Sequence, residues 1–275
     1  MMMSNFEMVG QFHEIFGHPK HNVLQKNIFR ENPTIIKLRL NLINEEINEL
    51  KAAIVENNLV DVIDALGDIL YVVYGTGHAL GINLDTAFQN YIINIAMFED
   101  EVAYEDERLD TIGNKSNFEL VKLIIKSNET PPANSIGEIF AVLKSSIHMI
   151  TDDFNILQQA CEEENMDLVS RFLNNLLNSL YETGYYCNID LDKAFSLVHC
   201  SNMTKLCKNE DEAKETIEQY KTLSGFETTD VRYRLSPDGI NFTIYNATTG
   251  KILKSKYFKL PDFTEMINSM TNGVC

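Results

Sequence analysis

The 275 residues carry 40 Asp and Glu against 23 Lys and Arg, a formal net charge of −17, which argues against a nucleic-acid-binding surface, since that draws affinity from clustered cations. Five cysteines, an odd number with neither CxxC nor Cys/His ligand spacing, read as reduced thiols of a cytoplasmic protein. The start MMMSNFEMVGQ lacks the basic and apolar regions of a signal peptide, and no segment has the roughly 20 apolar residues of a membrane span.

In chain order, residues 4–17 place Phe6, Val9, Phe12, Ile15 and Phe16 on one side of a helix, with Ser4 as N-cap and Gly17 as stop. The polar stretch 18–32 reads either as a surface loop or as a flap carrying base- or phosphate-contacting groups. Pro33 opens the next helix in the favoured first-turn position. There Leu38, Leu42, Ile43, Ile47, Leu50 and Ile54 form an apolar face, flanked by Glu45, Glu46 and Glu49. After a turn at residues 56–58, Asp61, Asp64 and Asp68 line a further helix beside Val62, Leu66, Ile69, Leu70 and Val73. Six carboxylates on adjacent helices repel one another, so either their pKa values rise or a cation sits between them. Oxygen donors with no soft ligand suit Mg²⁺ or Mn²⁺, and helical bundles build metal sites from such facing acids. Gly75 and Gly77 each cost about 1 kcal/mol inside a helix, for which close helix–helix approach is the expected compensation. Gly81 reads as the helix stop. Another helix is expected from Leu84 to about Met97, then an acidic linker over 99–115.

Beyond the linker the chain begins again. SNFEMV at 4–9 returns as SNFELV at 116–121, and from Glu45 to Phe98 the second half aligns without a gap at an offset of 107. The pairs include Asn48/Asn155, Leu50/Leu157, Leu66/Leu173, Tyr74/Tyr181 and Gly77/Gly184, the pattern of a duplicated four-helix unit. Glu46 and Glu49 become Asp153 and Ile156, while Asp61, Asp64 and Asp68 become Leu168, Arg171 and Asn175. The second copy therefore cannot hold a divalent cation in the same way. It ends instead in His199-Cys200-Ser201-Asn202-Met203-Thr204-Lys205, where the first copy has residues 92–98, INIAMF preceded by Ile92. His199 also reads as a core histidine of an amphipathic helix. Residues 210–223 give one more helix, with Ala213, Ile217 and Tyr220 inward. After Gly225 the period changes to two, and three short antiparallel strands are expected, too few to be stable without the helices. Lys251, Lys254, Lys256 and Lys259 are the densest positive cluster, facing either a phosphate site or solvent.

Glu46-x-x-Glu49 followed by Asp64-Ala-Leu-Gly-Asp68-Ile-Leu-Tyr resembles the signature of the all-α nucleotide pyrophosphohydrolases, the superfamily of MazG, the dimeric dUTPases and phosphoribosyl-ATP pyrophosphohydrolase. DALGDILYVVYGTGHALGINLD is most similar to the phosphoribosyl-ATP pyrophosphohydrolase-like branch, as are the FH-x-x-FG at 12–17 and GKILKSKYFKLPDF near the C-terminus. The resemblance implies cleavage of the α–β bond of a nucleoside triphosphate, with Mg²⁺ held by Glu46, Glu49 and Asp68. The superfamily pattern is ExxE then ExxD, and Ala65 stands where the second Glu belongs, so Asp64 or Asp61 completes the set. Residues 199–205 resemble the branch's HxSNMSK ending, which implies that Asn202 and Lys205, with His199, contact substrate phosphates. Glu45 is the first candidate to orient or deprotonate the attacking water.

The expected architecture is thus mainly α: tandem degenerate four-helix repeats at 1–98 and 116–224 forming a pseudo-dimeric bundle, then a small β-meander extension at 225–275. One copy keeps the metal carboxylates and the other the phosphate-binding end, which implies one composite active site. Assembly of such chains into a homo-oligomer stays open. The alternatives are phosphoribosyl-ATP pyrophosphohydrolase itself, disfavoured by the duplication and the β extension, and a catalytically inactive nucleotide-binding or scaffold module, disfavoured by the six acids.

Overall fold

Side-chain caps set the helix boundaries of the first half. Ser4 and Glu7 form a reciprocal capping box at the start of α1 (Asn5–Phe16), and Gly17 ends it at φ 68°. The computed structural model describes residues 3–99, 115–125, 130–223 and 230–272, so most of the acidic linker expected at 99–115 lies outside the described residues. A single turn, α2 (Ile28–Glu31), interrupts the polar stretch before α3 (Pro33–Glu56) opens on its proline. Asn58 caps α4 (Leu59–Leu80) by accepting from the amides of Val60 and Asp61. The two-residue turn makes α3 and α4 an antiparallel hairpin, followed by α5 (Leu84–Glu99).

The second half repeats this order: α6 (Asn117–Ile125), α7 (Ile136–Glu162), α8 (Met166–Tyr186) and α9 (Leu191–Met203). Ser116 and Glu119 form the same reciprocal cap as Ser4 and Glu7, and Asn165 caps α8 as Asn58 caps α4. At the centre the Tyr74 and Tyr181 hydroxyls share a hydrogen bond of 2.7 Å. Ser4 Oγ donates to Asp85 at 2.5 Å, and Ser116 Oγ donates to Asp192 at the same distance. The asparagines beside them reach across: Asn5 Nδ2 donates to Tyr181 and Asp192 of the second half, and Asn117 Nδ2 to Tyr74 and Asp85 of the first. Each half thus closes hydrogen bonds that the other leaves open, inside a core where Tyr74, Phe88, Tyr181 and Phe195 have no exposed surface. Along α4, two residues in three or more face protein, against α1, α3, α8 and α9. Among the described residues no helix is long and apolar enough to cross a membrane.

Two glycines of α4 have different reasons. A Cβ on Gly77 would lie 2.7 Å from Leu84, where the chain folds back, and Gly184 faces Leu191 in the same way at 2.5 Å. At Gly75 the close approach expected from the sequence is made by side chains of the neighbouring helices, Arg39 of α3 and His13 of α1. A Cβ there would lie 2.3 Å from Arg39 Nη2 and 2.8 Å from His13 Nε2.

The C-terminal segment departs from the expected three-stranded meander. After α10 (Glu210–Thr222), β1 (Val231–Leu235) and β2 (Phe242–Asn246) pair antiparallel, with Tyr233 opposite Ile244. Ile252 adds only a single bridge to Tyr245. The third strand stops because the backbone finds other partners: Lys256 N–H donates to Thr216, Lys259 N–H donates to Thr204, and the Lys259 carbonyl accepts from Ser201. Residues 251–259 therefore form a strap across the end of α9. A helix unforeseen in the sequence, α11 (Thr264–Asn272), follows and buries Met266 beside Phe263.

Because Leu84 and Leu191 must move to admit a methyl group, Gly77→Ala and Gly184→Ala should each destabilise the fold by about 1–3 kcal/mol in urea unfolding. Gly137→Ala, in α7 with nothing within 4 Å of the new Cβ, should be neutral or stabilising by up to about 1 kcal/mol.

Candidate functional site

The helical period turns Glu46, Glu49, Asp64 and Asp68 toward a shared space along the α3–α4 hairpin. Glu46, Asp64 and Asp68 are half-buried, while Glu45, Glu49 and Asp61 are exposed. Burial, then the charges of Asp68, Glu49 and Glu45, push Glu46 up to about 9. Burial and Asp68 raise Asp64 to about 7, and burial followed by Asp68 raises Glu49. Asp68 is raised by burial, against the pull of Lys205 and Lys254 and a hydrogen bond from Asn202. Asp61 stands at the outer end, where it accepts from Asn58 Nδ2 at 2.6 Å.

The cations come from the far part of the chain. Asn202, buried on the last turn of α9, and Lys205 just beyond it meet Glu46 and Asp68 in one cavity of about 90 Å³. Burial lowers the Lys205 pKa while Asp68 and Glu46 oppose that shift. The strap contributes Lys251, which also lines the cavity and pairs with Glu45, and Lys254, whose charge acts on Asp64 and Asp68. Lys256 faces away and pairs with Glu215 at 3.0 Å.

His199 does not line this cavity. Its Nδ1 lies 3.0 Å from the Tyr71 hydroxyl, and it is only 8% exposed, so it reaches the site through Tyr71. The FH-x-x-FG segment has a local purpose: Phe12 stacks on Phe16, His13 Nδ1–H donates to the Pro19 carbonyl at 2.7 Å, and Gly17 turns the chain. From residues 18–32, His18 lines the cavity, whereas the amides of His21 and Gln25 donate to carbonyls at the end of α4. On the matching face of the second half, Asp153 accepts from Ser179 Oγ at 2.6 Å and Ile156 is exposed.

Sequence reasoning missed Arg39 and Tyr71, both of which line the cavity. Arg39 sits at helical spacing with Leu42, Glu46 and Glu49, so its place on the acidic face was available as a signal. Its burial depended on Gly75 and was not.

Among the described residues, no group of three or more His, Cys, Asp and Glu side chains is gathered closely enough to hold a metal ion as it stands. The donor chemistry nevertheless fits a hard divalent cation: the acids offer oxygen alone, and the charge of Asp68 raises the pKa values of Glu46, Glu49 and Asp64, a repulsion that a positive ion relieves.

The family profile described as phosphoribosyl-ATP pyrophosphohydrolase matches residues 9–92, a span that contains all six acids and ends before Asn202 and Lys205. An uncharacterized protein of Acanthamoeba polyphaga mimivirus is 43% identical over 264 residues, covering 96% of each chain. No solved structure matches.

Glu46 ionises near 4.5 when unfolded and near 9 in the fold, so folding takes up a proton between those values. The stability it contributes is complete below about 4.5 and is lost as pH rises through about 9. In EDTA, the melting temperature of Glu46→Gln should therefore gain on wild type as pH is raised across that window. Excess Mg²⁺ should narrow or reverse the difference.

Proposed function

The chain belongs to the MazG-like all-α pyrophosphohydrolase superfamily that includes phosphoribosyl-ATP pyrophosphohydrolase, and from that premise we propose that it hydrolyses a nucleoside triphosphate, or a related nucleotide, to the monophosphate and pyrophosphate. The observation that carries this reading is the single cavity in which Glu46 and Asp68 of the first half meet Asn202 and Lys205 of the second. Carboxylates gather metal, and an amide and an ammonium take phosphate oxygens. Neither half alone offers both.

In this reading Glu46, Glu49, Asp64 and Asp68 hold Mg²⁺ (or Mn²⁺), with Asp61 at the margin. The ion would supply charge neutralisation at the phosphates and acidify a water. Glu45 lies on the solvent side of these acids, its carboxylate fixed by Lys251, and accepts the proton of the attacking water. Water adds to the α-phosphorus, the α–β bridging oxygen leaves with its electron pair, and Lys205 and Asn202 stabilise charge gathering on the departing pyrophosphate. His199 supports the wall through Tyr71.

The same hydrogen bonds recurring at Ser4 and Ser116, Asn5 and Asn117, Asp85 and Asp192 support a further part of this reading, that the chain is a duplicated unit folded on itself as a pseudo-dimer. Cytoplasmic localisation agrees with free Cys161, Cys187, Cys200 and Cys207.

Pyrophosphate release should be measured over a panel of NTPs, dNTPs and phosphoribosyl-ATP with Mg²⁺. At least one substrate should turn over, and Asp68→Asn should lower its turnover at least a hundredfold with the fold intact. Lys205→Ala should impair hydrolysis while leaving the Mg²⁺-induced rise in melting temperature unchanged. Wild-type turnover by Asp68→Asn would remove the carboxylates from the mechanism.

A further inference from the structure

Arg39 is an internal cation without an anion. It is 6% exposed, and none of the ion pairs among the described residues includes it. Its guanidinium donates from Nη2 to the Val72 carbonyl at 2.5 Å and from Nε to Thr76 Oγ1 at 3.2 Å, both neutral oxygens on α4. A guanidinium has five N–H donors, and Arg39 lines the cavity that holds Glu46, Asp68, Asn202 and Lys205. Burying a charge without a partner is costly, and α4 accepts a further cost to seat it, because any side chain at residue 75 would collide with the guanidinium.

No carboxylate among the described residues pairs with the guanidinium. His13, His18, Phe12 and Tyr71 complete the wall beside it. His18 faces the charges of Arg39, Arg234 and Lys205, and Arg234 itself donates to the Phe16 carbonyl at 2.8 Å. The carboxylates are set back along the two helices: Glu46 is seven residues from Arg39 on α3, about 10 Å of helix rise, and Asp68 is four residues before Val72 on α4, about 6 Å.

We propose that Arg39 is a substrate-binding residue that takes the terminal phosphate, so that the phosphate chain enters tail first. The scissile α–β bond then lies beside the carboxylates, the β- and γ-phosphates run past Lys205 and Asn202, and the guanidinium closes on the γ-phosphate with paired N–H donors. The assignment rests on the hydrolytic reading above and adds a polarity to it. The site measures the phosphate tail.

The test combines pyrophosphate binding with kinetics on matched nucleoside tri- and diphosphates. Calorimetry with Mg²⁺ should show that Arg39→Met weakens pyrophosphate binding at least tenfold, and that Arg39→Lys weakens it less. In turnover, Arg39→Met should raise KM for the triphosphate at least tenfold and erase its preference over the diphosphate. The Mg²⁺-induced melting shift should be unchanged. Wild-type pyrophosphate affinity in a folded Arg39→Met overturns the assignment, as does a wild-type protein that binds no pyrophosphate at millimolar concentration. Should both variants fail to fold, ¹⁵N-arginine-labelled wild type decides: the Arg39 Nε–H resonance must shift on adding pyrophosphate, and an unmoved resonance overturns the proposal. Pyrophosphate held through Arg39 without cleavage of any nucleotide would sink the proposed activity alone. Cleavage with unchanged Arg39→Met kinetics would sink this inference alone.

Discussion

Glu46, Glu49, Asp64 and Asp68 repel one another across the α3–α4 hairpin, and burial in the bundle makes that repulsion harder to screen. Proton uptake relieves it when nothing else is near. Positive charge relieves it without consuming the carboxylates, and much of the remaining architecture places such charge. Lys205 arrives at the end of α9, and Lys251 and Lys254 arrive on the strap. The strap exists because residues 255–259 bond to Thr204, Thr216 and Ser201 instead of extending the sheet. The half-exposed Lys251–Glu45 pair contributes little stability. Its effect is to fix where a carboxylate points.

The same constraint explains why the two halves are interdependent. The face of α7 and α8 that matches the acids holds Ile156, Arg171 and Asn175, and its remaining acid, Asp153, accepts from Ser179, so it offers no comparable acidic cluster. Its partner contribution lies at the far end of the same unit, in Asn202 and Lys205. These meet the first half's acids because α9 packs on α4, an orientation set at the core by Tyr74 and Tyr181 and by the crossed asparagines. A buried hydrogen-bond network of this kind leaves a donor unsatisfied whenever the halves slip. It therefore specifies one relative placement.

The hairpin, the acids and the recurrence of one half in the other were legible in the sequence because each is a matter of spacing. Three- and four-residue intervals put Asp61, Asp64 and Asp68 in line, and Ser4, Asn58, Ser116 and Asn165 sit where helix caps belong. The all-α class followed from the same periodicity. What spacing could not give was competition between partners. Lys251-Ile252-Leu253-Lys254 alternates as a strand does and bonds to β2 at Lys251 and Leu253, yet beyond it the Lys256 and Lys259 amides turn to Thr216 and Thr204 instead of extending the ladder. Asp262 caps α11 through the Thr264 amide at 3.0 Å, a local signal that was present but lay behind Pro261 in a segment read as extended.

Arg39 shows the limit most clearly. Read along α3, it is one cation near several acids, and an ion pair on the surface is the expectation. The fold instead turns it toward Val72 and Thr76, away from every carboxylate that pairs elsewhere, into space that exists only because residue 75 has no side chain. The sequence shows Arg39 and Gly75 separately, and only the packing of α3 on α4 couples them. A chain with a net charge of −17 has acids in excess to neutralise a stray arginine. One that pairs with none of them among the described residues, in the wall of a cavity that also holds Glu46 and Asp68, gives the site a direction along which a polyanion can lie.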